Sequence, residues 1–174
     1  MPNHCINVVI AEGIKHWDIF RKLETRIEEL NGFDIIDFEK IIPPILGNPD
    51  WYNWNIKNWG TKWNAYYSLS YPAGSEWSEK NNVIFFETAW SPAYPIIEEL
   101  SKTHKDIPIV HESTDEFFQW FERDIWLNGE RINHEYVDCQ DFSKIDEEKA
   151  KGLWEVAGVP KDDWYTGEEE PNDV

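Results

Sequence analysis

Hydrophobic and polar positions change period several times along this chain, and each change marks an element. Residues 5–11, CINVVIA, form a compact β-branched run that predicts a strand buried on both faces. Over residues 14–31, Trp17, Phe20, Leu23, Ile27 and Leu30 recur at steps of three or four. That spacing predicts an amphipathic helix with one apolar face, stopped by Gly32. Phe33 to Ile42 reads as a second strand, ended by Pro43 and Pro44. Residues 51–63, WYNWNIKNWGTKW, follow with no clean period, and Pro49, Asn53, Asn58 and Gly60 suggest an irregular, ordered loop.

Residues 63–70, WNAYYSLS, look strand-like, 72–82 are turn-rich, and VIFFETAW over 83–90 is a strong strand. Ser91-Pro92 reads as a helix start, with Ile96, Ile97 and Leu100 on its apolar face. Residues 107–112, IPIVHE, read as a further strand. The order is strand, helix, strand, one or two strands, helix, strand, which is that of a split βαβ, ferredoxin-like sandwich. Asn128-Gly129 then favours a tight hairpin between strands at 123–127 and 130–136. A helix over 114–127, opened by a Ser113…Glu116 capping box, competes with that hairpin. Residues 143–157 read as a helix opened by Ser143 and stopped near Gly158 and Pro160.

The predicted class is therefore α+β: a ferredoxin-like core over 1–112, a hairpin-plus-helix extension over 113–160 and a disordered acidic tail over 161–174. With 174 residues, 41% apolar and 16% aromatic, the chain is long enough for one core without disulfides or metal.

Charge changes the picture more than composition does. The net charge is -18, and residues 135–174 hold 13 acids and 4 bases, a net of -9, half of the total. Generic nucleic-acid binding needs cations that displace counterions, so the balance argues against a direct nucleic-acid partner. An acidic surface attracts basic proteins instead. No stretch approaches the roughly 20 apolar residues of a membrane span, and the start, MPNHCINVVIAEG, lacks a charged leader. The expected place is the cytoplasm of a bacterial host cell. Cys5 and Cys139 stand far apart and suggest a reducing compartment. The five histidines form no metal-ligand spacing with them, so no metal or cofactor is expected.

Three stretches resemble a known family. They are the opening MPNHCINVVI, then NWGTKWNAY over 58–66, then FFETAWSPAYPIIEELS over 85–101. They stand in order, together cover most of residues 1–112, and are similar to the YubB-like ferredoxin-like family of phages, plasmids and integrated elements. The resemblance implies a ferredoxin-like fold and a mobile-element origin, and it implies no activity. The chain departs from that family at EFFQWFER, where the family has a glycine-rich step, and in the acidic region after residue 136.

Enzyme signatures are absent: there is no nucleophile elbow, phosphate loop or dinucleotide fingerprint. No catalytic residue is assigned. His104 and His111 read as ordinary surface histidines, although His111 with Glu112 or Asp115 would make a His–carboxylate pair. Trp59 and Trp63 read as a lid closing one sheet face, with Gly60 allowing a positive φ and Lys62 turned to solvent. Trp90 would meet that lid.

Two functional classes follow. The first is a non-enzymatic inhibitor that occludes a host defence nuclease or CRISPR effector complex, carboxylates standing in for phosphates. Its candidate carriers are Asp138, Asp141, Asp146, Glu147, Glu148, Asp162, Asp163, Glu168, Glu169 and Glu170. The second is a nucleic-acid-binding accessory protein with a stacking face of Trp51, Trp54, Trp59, Lys62 and Trp63. A host-interaction protein with no defence role is a third option.

Overall fold

A computed structural model describes residues 3–12, 18–22, 24, 32, 34–66, 83–117 and 119–138. Its centre is a five-stranded sheet in the order β4-β1-β5-β6-β7, with every neighbouring pair antiparallel. The strands are β1 (His4–Ile10), β4 (Val83–Ala89), β5 (Ile109–Asp115), β6 (Trp120–Leu127) and β7 (Glu130–Asp138). β1 is antiparallel to both β4 and β5, so those two run parallel with β1 between them. The helix α3 (Tyr94–Thr103) joins them as the crossover, which completes the expected split βαβ. On the outer side of β4, Tyr66 and Glu87 exchange both backbone hydrogen bonds, at 3.1 and 2.8 Å. The strand read from 63–70 therefore touches the sheet at Tyr66; residues 67–70 lie outside the described residues.

The hairpin reading holds and the competing helix over 114–127 does not, because the end of β5 and all of β6 fall in that stretch and β6 pairs with β7. Asn128 and Gly129 both take positive φ, 50° and 82°. That is the two-residue turn whose twist matches the flanking strands.

Four other expectations are corrected. The helix read over 14–31 gives way, where it is described, to β2 (Phe20–Lys22), which pairs with β3 (Asp34–Ile36). Ile35 and Ile36 are fully buried, and pairing against them overrides the helical spacing. The strand read over 33–42 is only β3. Asp37 then caps the short helix α1 (Phe38–Ile41), its side chain accepting from the Glu39 amide at 3.2 Å. The tryptophan stretch is not a loop but the helix α2 (Trp51–Trp59), ended by Gly60 at φ 78° in the left-handed region. Ser91 does not cap α3, which starts from Ala93; the Ser91 hydroxyl donates to the Gly60 carbonyl instead.

Alternation along β1 sends Val9 to one face and Ile6 and Val8 to the other, and both faces are buried. The helix-side core gathers Val9, Phe86, Ile96, Ile97, Leu100 and Trp126 around Phe38 and Trp59. Phe38 meets Trp59 and Phe86 edge-to-face, with centroids 6.0 and 5.6 Å apart. A second cluster of Ile6, Val8, Val83 and Phe85 fills the opposite face. Among the described residues no helix is long and apolar enough to cross a membrane. The helix read at 143–157 and the tail at 161–174 lie outside the described residues.

Candidate functional site

The structure divides the expected stacking face. Trp59 is 3% exposed and belongs to the core. Its indole N–H donates to the Ile42 carbonyl at 2.9 Å, which meets the need of a buried indole. Trp54 is half-buried and packs edge-on to Trp59 at 5.5 Å. These two indoles hold α2 against the core and are not available for stacking. Of the remaining three, Trp51 is exposed while Lys62 and Trp63 are half-buried, and two exposed side chains outside the expected face, Tyr52 and Trp90, join them.

Trp51 and Trp90 are 51% and 46% exposed. Tyr52 stands between them, with ring centroids 5.9 Å from Trp51 and 6.3 Å from Trp90. The Lys62 ammonium lies over Trp63 at 4.7 Å and over Trp90 at 5.1 Å, so it turns to the indoles rather than to open solvent. Trp63 continues to Tyr66, edge-on at 6.1 Å. The Tyr66 hydroxyl is within 2.7 Å of His4 Nδ1. Burial, and then the charge of Glu87, push the Tyr66 hydroxyl well above the usual tyrosine range, so it stays protonated.

Trp90 carries the least expected feature. Its φ is +74°, in the left-handed region. A bulky side chain rarely goes there, and left-handed backbone costs an L residue roughly 1–2 kcal/mol. The flanking backbone is fixed on both sides. Thr61 donates its hydroxyl to the Ala89 carbonyl at 2.9 Å and accepts from the Ala89 amide at 3.0 Å. Thr88 donates its hydroxyl to the Ser91 carbonyl at 2.7 Å, and the Trp90 amide donates to the Asn3 carbonyl at 2.9 Å. The braced turn holds the indole outward, where it meets Lys62 of the expected lid. Strain of this kind persists where surrounding structure over-determines it, and clusters at functional sites.

Of the acidic candidates, Asp138 ends β7 and is exposed. Asp141, Asp146, Glu147, Glu148, Asp162, Asp163, Glu168, Glu169 and Glu170 lie outside the described residues. Among the described residues no group of three or more His, Cys, Asp or Glu side chains is placed to hold a metal ion.

Sequence comparison adds one finding. The family profile of the ferredoxin-like domain in Api92-like proteins matches residues 59–156, more than half of the chain. The chain belongs to this family. No curated protein and no solved structure matches it. The matched Api92-like domain starts at Trp59 and takes in Lys62, Trp63, Trp90, α3 and the strands β4 to β7. Trp51 and Tyr52, on α2, precede it. The aromatic surface therefore straddles the start of the Api92-like domain, with Trp90 inside it.

Proposed function

We propose that this is a non-enzymatic inhibitor, carried by a phage or related mobile element, which binds and blocks a nucleic-acid-handling defence complex in the bacterial cytoplasm. The resemblance to the YubB-like family supports the origin. The net charge of -18 supports a basic target, such as the channel in which a CRISPR effector or restriction enzyme holds nucleic acid. The observation that carries the reading is Trp90, an indole held outward on strained backbone beside Tyr52 and Trp51. Exposed tryptophan and tyrosine are the favoured anchors of protein interfaces. In this mechanism the acids steer the encounter and mimic phosphates, while the aromatic surface supplies contact that salt does not screen.

A second reading has one observation in its favour. Lys62 lies over two indoles, the local arrangement of a single-strand stacking platform. The test that separates the two is affinity capture from candidate host lysates, with and without nuclease treatment, read by mass spectrometry. The inhibitor reading expects one partner protein to survive nuclease. It also expects Trp90→Ala to weaken that capture by about tenfold or more, the size of an interface hot spot. Recovery that vanishes with nuclease ends the inhibitor reading in favour of the stacking platform.

A further inference from the structure

On the helix-side face of β5, β6 and β7, register aligns three side chains in one row. His111 pairs with Asp124, and Asp124 with His134. Ser113, Glu122 and Tyr136 form the next row. Arg131 should not belong to this face, because strict alternation from His134 would place it with Asn133 and Glu135 on the other side. A β-bulge changes that. Ile125 pairs with Asn133 but Trp126 pairs with Arg131, so Ile132 is the extra residue and Arg131 turns to the face of His134. Bulges of this kind re-aim side chains next to functional sites.

The result is a built arrangement. Asp124 is completely buried. One of its oxygens lies 2.7 Å from His134 Nδ1, and the other 3.5 Å from Arg131 Nη1. The guanidinium lies over the rings of Tyr94 and Trp126, at 5.4 and 5.7 Å. The Arg131 and His134 side chains are 40% and 43% exposed, so each shows its remaining donors to solvent. Holding Nδ1 on a carboxylate fixes the imidazole and leaves Nε2 as its outward atom.

Neutralising a buried Asp124 accounts for the two partners but not for the rest of the face. Asp124 Oδ2 makes no hydrogen bond, since 3.5 Å is too long for one. His111 Nδ1 and Ser113 Oγ, both buried on this face, are also unpartnered. His111 is no surface histidine, as its sequence position suggested. It is fully buried and bonded through Nε2 to Asn7 at 3.0 Å. Tyr94 donates its hydroxyl to Glu122, which closes one side of the row.

We propose that Arg131 and His134, clamped on Asp124, form a binding site for a tetrahedral oxyanion of the phosphate type. The Arg131 fork takes two oxygens, and the outward Nε2 of His134 faces a third. The carboxylate nearest a ligand is Asp124, which both cationic side chains contact; Glu122, one register row away, opposes it next, with Asp115 and Asp138 further along the face. The site shares no side chain with the aromatic surface, and it stands whether or not the inhibitor reading does.

The test uses the full chain and inorganic phosphate. Long-range nitrogen–proton NMR of the histidine rings is followed during titration with phosphate, acetate and chloride at matched ionic strength. The expected result is a saturable shift at His134 with phosphate and no saturation with chloride. Arg131→Met is expected to weaken binding by about tenfold or more, the loss of a charge-assisted pair. Glu122→Gln keeps a hydrogen-bond acceptor for Tyr94 and removes the opposing charge, so it is expected to tighten phosphate binding. A merely structural cluster does not produce that gain. Equal, non-saturating drift with phosphate and chloride overturns the site, and acetate binding as tightly as phosphate overturns the assignment to a tetrahedral oxyanion. Should Arg131→Met fail to fold, unchanged or weaker phosphate binding in Glu122→Gln overturns the proposal by itself.

Discussion

Trp90 offers a direct measurement of stored strain, because two replacements remove the same ring and differ only in backbone freedom. Trp90→Ala and Trp90→Gly both lose the contacts with Tyr52 and Lys62. At ordinary positions alanine is the more stable of the two. At φ +74° the order inverts. Alanine retains the left-handed penalty of roughly 1–2 kcal/mol. Glycine escapes it but loses about 0.4–1 kcal/mol through its freer unfolded chain. The difference leaves glycine ahead by roughly 0.5–1 kcal/mol, or about 1–4 °C in Tm for a chain of this length. Urea denaturation of the two variants side by side, with equal slopes required, reads this number. If alanine matches or exceeds glycine, the turn is not strained and Trp90 loses its claim to be held outward for a purpose. If glycine is the more stable and both variants lose partner capture alike, strain and binding reside in the same residue.

Other outcomes follow from the same geometry. Trp59→Ala is expected to cost about 3–5 kcal/mol, as a buried indole with a bonded N–H, whereas Trp51→Ala stays within roughly 0.5 kcal/mol; chemical denaturation of both checks the division between core and surface. Gly60→Ala sets a Cβ 2.9 Å from Pro95 Cδ and 3.2 Å from the Pro92 carbonyl at φ +78°, so destabilisation of more than about 1–2 kcal/mol is expected in the same assay. His111 is held neutral, its pKa lowered from 6.5 to about 3 by burial and then by the charge of Arg131. The unfolded chain therefore takes up that proton first, and the stability His111 contributes is full above pH 6.5 and falls away towards about 3. Glu112 and Glu122 are raised by burial and act in the opposite sense, favouring the folded state as pH falls through their folded values. His111→Gln should flatten the acid-side loss, and an unchanged pH profile of urea midpoints between 6.5 and 3 would refute the assignment.

Legibility in the sequence followed the strength of local signals. The strands β1, β4 and β5 were readable because β-branched and aromatic runs bounded by turn residues leave few alternatives. The hairpin was readable from two residues, Asn128 and Gly129, since few pairs accept two positive φ values. Helix α2 was missed because exposed Trp51 and buried Trp59 look alike in an apolar pattern. Asp50 before it and Gly60 after it carried the missing boundary signal. Strand β2 was missed because Phe20 suits a helical stripe as well as a strand, and only its pairing with buried Ile36 decides. The Asp124, Arg131 and His134 arrangement was not legible at all. It rests on register across two strands and on a bulge that reverses the alternation rule.

The stretches NWGTKW and ETAWSP, separate in sequence, form one mechanical unit, and its parts divide cleanly between folding and something else. Gly60 must turn left-handed, and its carbonyl receives the Ser91 hydroxyl. Thr61, fully buried, bonds both backbone groups of Ala89, and Thr88 bonds the Ser91 carbonyl. These contacts lock the end of α2 to the end of β4 and place Trp59 in the core. Every one of them would form with a small residue at position 90, and glycine would form them with less strain. Folding therefore explains Gly60, Thr61, Thr88, Ser91 and Trp59, and leaves an exposed, strained indole that folding alone disfavours. On the proposed reading, a residue held against the preference of its own backbone is what the surface presents to a partner. That is why the Trp90 turn, rather than the buried tryptophans beside it, is the place where a partner should be sought.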